Sequence, residues 1–369
     1  MLKNFRFLTS GESHGKCLNG IIDGVPAGFE IDIDFVNNEL KRRQSGYGRG
    51  ERMQIELDEV EIKSGVRFGK TTGAPICLEI KNKDFENWQE IMSIEKNDFQ
   101  NDAKVFTKPR PGHADFAGAI KYNLKDLRDV LERSSARKTS MDVAIGAIAK
   151  LILKEFDISC SSKIISIGGE NIEECDEEKI KEKINFAKEQ GDTLGGKFEI
   201  KFKNLPVGLG SHVQWDRKLD GLISQAVMSI PAVKSVEIGL GVDCADIFGS
   251  EMHDEIFIES GKYFRKTNNA GGLEGGMTNG EDLIVKAVMK PIPTLKKSLN
   301  TVDFKDNTQT QAHFERSDVC AVQACAIVAE SMVSCVLLDE FLDKFGKDNL
   351  FEIKNNYLNR KIGNNCGNN

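Results

Sequence analysis

The stretch from Ala321 to Leu338 constrains this chain more than any other, because it is apolar almost throughout and carries a single charge, Glu330. A helix that is hydrophobic on all sides lies either in a membrane or inside a protein. The charge in its middle selects the second reading, a long buried helix over Val319 to Phe345. A second helix is expected after Ser140, whose hydroxyl would cap it, with Val143, Ala144, Ala147, Ile148, Leu151 and Ile152 on one face. At 369 residues the chain has room for one large domain or two to three ordinary ones.

Strands are expected where the apolar residues alternate or cluster briefly: Phe5 to Thr9, Gly20 to Asp23, a run between Met53 and Lys81, Ile158 to Ile167, Lys197 to Phe202 and Leu283 to Met289. Asp32 or Asp34 caps a helix through about Arg43; a charged helix covers Asp176 to Glu189, and a helix and strand pair fills Arg217 to Leu240. No repeat and no linker separates domains, so one intertwined α/β domain over residues 1–355 is the simplest account. The Asn-rich end, 356–369, is expected to be disordered.

The net charge of -7 argues against non-specific adhesion to nucleic acid or an anionic membrane. Nine cysteines without C-x-x-C spacing predict reduced thiols and no metal site. The start MLKNFRFLTSGESHG lacks the apolar core of a signal peptide, and a cytoplasmic location is expected.

Two motifs mislead. GESHG, Gly11 to Gly15, matches the G-x-S-x-G nucleophile elbow and raises a serine hydrolase using Ser13 as the alternative function. Too little chain precedes it to build the parallel sheet on which that elbow stands, and no HGGG-type segment is present. SGVRFGKT, Ser64 to Thr71, falls one glycine short of a phosphate-binding P-loop and is better taken as a strand turn. No G-x-G-x-x-G follows a strand, so a Rossmann dinucleotide site is not expected.

What stands out is a set of arginines in loops broken by Gly, Pro or Ser: Arg43 and Arg49 around QSGYGRG, Arg110 in PRPGHAD, Arg133 and Arg137 in ERSSAR, and Arg316 in ERSD. Any one of these would ordinarily be a surface charge or a local ion pair. Together, their planar forks suit the oxygens of a small polyanion. His14 and His113 occupy two of the same loops and can transfer protons near neutral pH, whereas His212, His253 and His313 are assigned structural roles. Asp318, beside Arg316, is either an ion-paired acid or a base held by its neighbours.

Taken in order, GESHG, QSGYGRGERM, PRPGHADF, ERSSARKTS, NNAGGLEGG, KPIPT and RSD closely resemble the motif set of chorismate synthases, from residue 11 to about residue 330. The resemblance implies an α+β fold, a β-α-β sandwich with antiparallel sheets around a helical layer, assembled as a homotetramer. It implies a carbon-oxygen lyase that eliminates phosphate from 5-enolpyruvylshikimate-3-phosphate to give chorismate. The family requires reduced FMN without net redox change. An outside flavin reductase is expected to supply it, with NADPH only an indirect reductant.

By motif, Arg43, Arg49, Arg110, Arg137 and Arg316 would bind substrate, with Ser13 close by. His14 would act as general acid at the leaving phosphate, and His113 would donate a proton towards the flavin. Asp318, together with flavin N5, would remove the C6 proton, assisted by Ser134 or Ser135. The flavin would lie against Arg133, Ser134, Ser135, Ala232, Gly275, Arg316 and the KPIPT run of Lys290, Pro291, Ile292, Pro293 and Thr294. Asn269 and Ser317 stand where relatives often carry His, which removes a proton-transfer role from both positions. Pro231 replaces a common Asn and weakens the assignment of Ala232.

Overall fold

The structure is a computed structural model that describes residues 2–50, 57–95, 105–174, 177–312 and 317–365, with side chains to residue 360. Two antiparallel sheets enclose a layer of helices. The first sheet is built from β1 (Arg6–Ser10), β2 (Cys17–Asp23), β3 (Val60–Ile62) and β4 (Ile76–Lys81) in the order β1-β2-β4-β3. The second contains β5 (Ser159–Ile167), β6 (Glu170–Asn171), β7 (Gly196–Lys203), β8 (Val233–Ile238) and β9 (Leu283–Met289) in the order β8-β9-β7-β5-β6.

Each sheet turns alternate residues inward, as the two-residue period of a strand requires. Leu18 and Ile22 of β2 join Ile76, Leu78 and Ile80 of β4 on one inner face. Phe198, Ile200 and Phe202 of β7 join Leu283, Val285, Ala287 and Met289 of β9 on the other. Between them run α1 (Ile33–Gln44), α4 (Thr139–Lys154), α6 (Leu219–Met228) and α7 (Val322–Phe345); α2 (Asp115–Tyr122) and α3 (Arg128–Ser134) precede α4, and α5 (Glu177–Glu189) covers an edge.

Helix α4 is buried at every position from Thr139 to Leu153, and α7 is buried on nearly all sides. This is the interior helix that the run from Ala321 to Leu338 requires. No helix among the described residues is long and apolar enough to cross a membrane. Gly146 explains how α4 and α7 approach so closely: a Cβ there would lie 2.3 Å from Cβ of Ser331. Glu330, the lone charge of the stretch Ala321–Leu338, is completely buried and is met by Lys150 Nζ at 2.6 Å and by Arg42 Nη2 at 2.9 Å. Arg42 and Lys150 also bond Glu39, at 2.8 Å and 2.5 Å, so four side chains from α1, α4 and α7 satisfy one another.

Most expected elements form within a residue or two of their sequence bounds. Asp32 is the cap of α1, accepting from the backbone N of Phe35 at 3.0 Å. SGVRFGKT is a small hairpin, Val66–Arg67 against Lys70–Thr71, as its reading as a strand turn anticipates. Two expectations need correction. Ser140 does not cap α4, because the turn Ala136–Lys138 runs straight into the helix. Ser135 caps that turn, and Ser140 Oγ donates to Arg137 O at 3.0 Å. The segment expected to be disordered from residue 356 continues α8 (Leu350–Asn365). Ile353 and Tyr357, one turn apart, bury themselves against Phe341, Phe345 and Phe156, and this apolar stripe outweighs the Asn-rich composition. Residues 366–369 lie outside the described residues.

Candidate functional site

The site is built on the loops that lead into α4 and α7. Arg137, in the turn before α4, donates through Nη1 to Asp58 Oδ1 at 2.6 Å and through Nε to Asn82 Oδ1 at 2.9 Å. Arg43, in the last turn of α1, donates through Nε to Thr139 Oγ1 and through Nη2 to Ala136 O, both at 2.9 Å. Its Nη1 lies 3.7 Å from Asp58 Oδ2 and makes no hydrogen bond among the described residues. Arg49 reaches Asp318 Oδ2 at 2.9 Å, while the other oxygen of Asp318 accepts from Gly50 N at 2.6 Å.

Gly48 makes that last contact possible. Its φ of +84° is one that few other residues adopt, and a Cβ would fall 2.8 Å from Ile184 and 3.3 Å from Cys320. The loop therefore closes on the chain entering α7, with Val319 N donating to Gly48 O at 2.9 Å.

Three guanidinium groups, Arg43, Arg49 and Arg137, thus face two carboxylates, Asp58 and Asp318. Burial pulls the Arg43 guanidinium down to about 10; Asp58 opposes the fall, and Arg49 and Arg137 add to it. The cluster holds more positive charge than it neutralises, in a place from which water is largely removed. An anion placed there gains more than it would at the surface.

The GESHG turn joins this cluster through Asn82, whose Nδ2 donates to Glu12 O at 3.1 Å and to Gly15 O at 2.7 Å while its Oδ1 accepts from Arg137. Ser135 Oγ donates to Ser13 Oγ at 3.2 Å and accepts from Arg137 N. His14 Nδ1 lies 2.9 Å from Glu132 Oε1, and its ring stacks on Trp88 with centroids 4.0 Å apart. The serine hydrolase reading finds no support here. GESHG joins the antiparallel neighbours β1 and β2, not a strand to a helix, and Ser13 is only 2 % exposed.

A second cluster adjoins the first. Arg110 donates through Nε to Asp115 Oδ2 at 2.8 Å and through Nη1 to Thr294 Oγ1 at 2.9 Å. His113 Nδ1 contacts Asp115 Oδ1 at 2.5 Å. Lys290 Nζ donates to Gly112 O at 2.6 Å, and Ser317 Oγ donates to Thr294 O at 2.8 Å. Ser317, one residue before Asp318, therefore ties the Lys290–Thr294 segment to the arginine cluster. Burial and the charge of Lys234 lower the Lys290 ammonium below its usual range. Neither lysine meets a carboxylate among the described residues, so this end of β9 suits an anionic group such as a phosphate or a reduced flavin ring.

Burial alone would raise Asp115, but hydrogen bonds from His113 and Arg110 and the charge of Arg110 hold it down at about 2. A carboxylate lowered on folding stabilises the protein above its ordinary value of 3.8 and loses that contribution as the pH falls towards 2. Asp115→Asn is expected to be less stable than the parent by at least about 2 kcal/mol at pH 7. The gap should narrow as the pH falls below about 4 and close below about pH 2, which urea unfolding across pH would measure.

Other expected residues have different placements. Arg133 donates to Thr9 O at 2.9 Å and Gly11 O at 3.1 Å and so braces the turn that carries Ser13 and His14. Ser134 Oγ is turned back into α3, donating to Val130 O at 2.7 Å. Ala232, with φ +71°, accepts from Lys290 N at 2.9 Å and lies at the second cluster. Gly275, with φ +61°, sits in the turn between the paired strands Leu273–Glu274 and Met277–Thr278, where a Cβ would lie 3.8 Å from His212. Arg316 and His313 lie outside the described residues. The sequence reading overlooked Glu132 and Asp115, although both stand inside motifs it singled out, and Asp58 and Asn82, for which no local pattern gives a signal.

The family model described as Chorismate synthase matches residues 5–342. The chorismate synthase of Thermoanaerobacter pseudethanolicus is 54% identical over 353 residues, covering 95% of this chain and 97% of its own. That of Aquifex aeolicus is 48% identical, covering 96% and 97%. A crystal structure of a chorismate synthase superimposes with a TM-score of 0.79 at 39% identity over 99% of both chains. Matches of this extent, on a chain whose antiparallel sheets, helical layer and loop arginines are those described above, show that it belongs to the chorismate synthase family.

Proposed function

We propose that the chain converts 5-enolpyruvylshikimate-3-phosphate to chorismate by 1,4-anti-elimination of phosphate, with reduced FMN bound beside the substrate. The observation that carries this reading is the positive excess of Arg43, Arg49 and Arg137 next to His14 and Asp318. The substrate carries a phosphate and two carboxylates, and planar guanidinium forks are matched to both groups.

In the reaction a C6–H bond and the C–O bond to phosphate break, and the electrons released at one end of the ring system form the new double bonds as phosphate leaves. His14 protonates the departing phosphate. Asp318 receives the C6 proton, once substrate draws Arg49 away from it. Arg110, locked by Asp115 and Thr294, holds His113 beside the Lys290–Thr294 segment, where His113 donates its proton towards the cofactor. Lys290, Ala232 and Thr294 are the described residues that would hold FMN, with Arg133 and Ser135 supporting the neighbouring turn. When bound, reduced FMN supplies transient electron density to the substrate without net redox change. A homotetramer, an outside flavin reductase with NADPH as indirect reductant, and a cytoplasmic setting belong to the same proposal and are supported by the family alone.

Anaerobic turnover with photoreduced FMN tests the reading. Chorismate and phosphate should appear in equal amounts, and FMN with substrate should raise Tm more than either alone. Absence of product from folded, flavin-loaded protein would refute it.

A further inference from the structure

We propose that Glu132 is the positioning residue for His14: it holds ring Nδ1 as a donor, so that the transferable proton rides on Nε2, which faces away from the carboxylate. This inference rests on the role given above to His14. Glu132 binds His14 at two places: Oε2 accepts from the backbone N at 2.8 Å, while Oε1 lies 2.9 Å from Nδ1. The backbone carbonyl of Glu132 also accepts from Ser13 N at 3.0 Å, so one residue of α3 fixes both the turn and the ring. Stacking on Trp88, at an interplanar angle of 24°, removes the remaining freedom of ring rotation.

The arrangement is one in which geometry dictates tautomer. An ionised carboxylate can only accept, and it is 1 % exposed with Oε1 2.9 Å from Nδ1, so Nδ1 carries hydrogen in both charge states of the ring. Nε2 is then bare in the neutral ring and protonated in the cation, and it alone exchanges a proton with a ligand. Burial would raise the Glu132 carboxyl, but the hydrogen bonds and charge of His14, with the charge of Arg128, bring it below its usual range. Among the described residues, the charged groups on the elements around the ring are Glu132 and Arg128 of α3 and Glu12 and Lys16 of the turn. Arg128, also from α3, lies 3.3 Å from Glu132 Oε1 and sits over Trp88, tempering the carboxylate. Glu12 and Lys16, in the same turn as His14, are exposed to solvent.

Glu132→Gln retains the volume but deletes the charge and replaces one of the two acceptor oxygens with an NH2 that can only donate. In this variant the affinity for the enolpyruvyl substrate should change less than about threefold, while kcat falls about 10- to 100-fold. Nitrogen shifts of neutral His14 in Glu132→Gln should show a gain of the Nε2–H tautomer, because Nδ1 no longer faces a carboxylate. Glu132→Asp should recover part of both. In the parent protein, nitrogen shifts should report the Nδ1–H tautomer for neutral His14, a readout that needs no activity and survives any failure of the variant to fold. An Nε2–H tautomer in the parent, or a fall in kcat in Glu132→Gln with the Nδ1–H tautomer unchanged, would overturn the proposal. A parent protein that shows the Nδ1–H tautomer yet makes no chorismate would instead count against the proposed reaction and leave the Glu132–His14 pairing standing.

Discussion

Arg137→Ala is expected to cost the fold about 3 to 5 kcal/mol and to remove turnover altogether. The stability loss follows from what the guanidinium leaves behind: among the described residues, Asp58, with its side chain fully buried, would keep a charge opposed only by Arg43 Nη1 at 3.7 Å. Breaking a buried pair by removing one member costs far more than the pair contributes as a whole, because the remaining ion is neither solvated nor matched. Asn82 would lose its bond from Arg137 Nε, and with it the link that sets the Glu12–Gly15 turn against the arginine cluster. Urea unfolding gives the check, and a midpoint within experimental error of the parent would contradict the account. Arg137→Ala combined with Asp58→Asn should regain part of the stability and none of the activity, which separates the structural debt to Asp58 from the contact with substrate.

Asp318→Asn should leave the fold nearly intact and lower kcat by about 100- to 10,000-fold. The amide oxygen can still accept from Gly50 N, so the loop stays closed on the start of α7. The ion pair with Arg49 is partly exposed, so its loss should cost the fold only about 1 kcal/mol. Arg49 would then be held less tightly, so the substrate KM should hold steady or fall while kcat collapses. Anaerobic steady-state kinetics with photoreduced FMN distinguishes this from a general loosening of the site, in which KM would rise.

How much of this was legible beforehand depends on whether local pattern or distant packing decides each feature. The cap of α1 by Asp32 and the buried character of α7 follow from residues adjacent in sequence, and the structure has both. The start of α4 does not follow, because its preceding turn is fixed by Ser13 and Asp58, more than 75 residues upstream. The end of the chain looked like solvent-loving coil until Ile353 and Tyr357 met an aromatic surface made by other helices. Within the site, loop setting identified Arg43, Arg49, Arg110 and Arg137, since glycines and prolines around a charge are visible in one dimension. Their partners Asp58, Asn82 and Glu132 were not visible, because a buried acid is recognised by what surrounds it in space.

Arg42 and Arg43 are consecutive residues with opposite neighbours. The first is riveted to Glu39 and Glu330 in the middle of the protein, and the second faces the anion cluster. A helix clamped in this way cannot slide or roll to greet an incoming molecule, so the receptor for the negative charges stands ready-made and the motion of capture falls to the loops. Crystals soaked with and without substrate should superimpose in α1, α4 and α7 while differing around Gly48, much as a lock keeps its wards fixed and lets only the bolt travel.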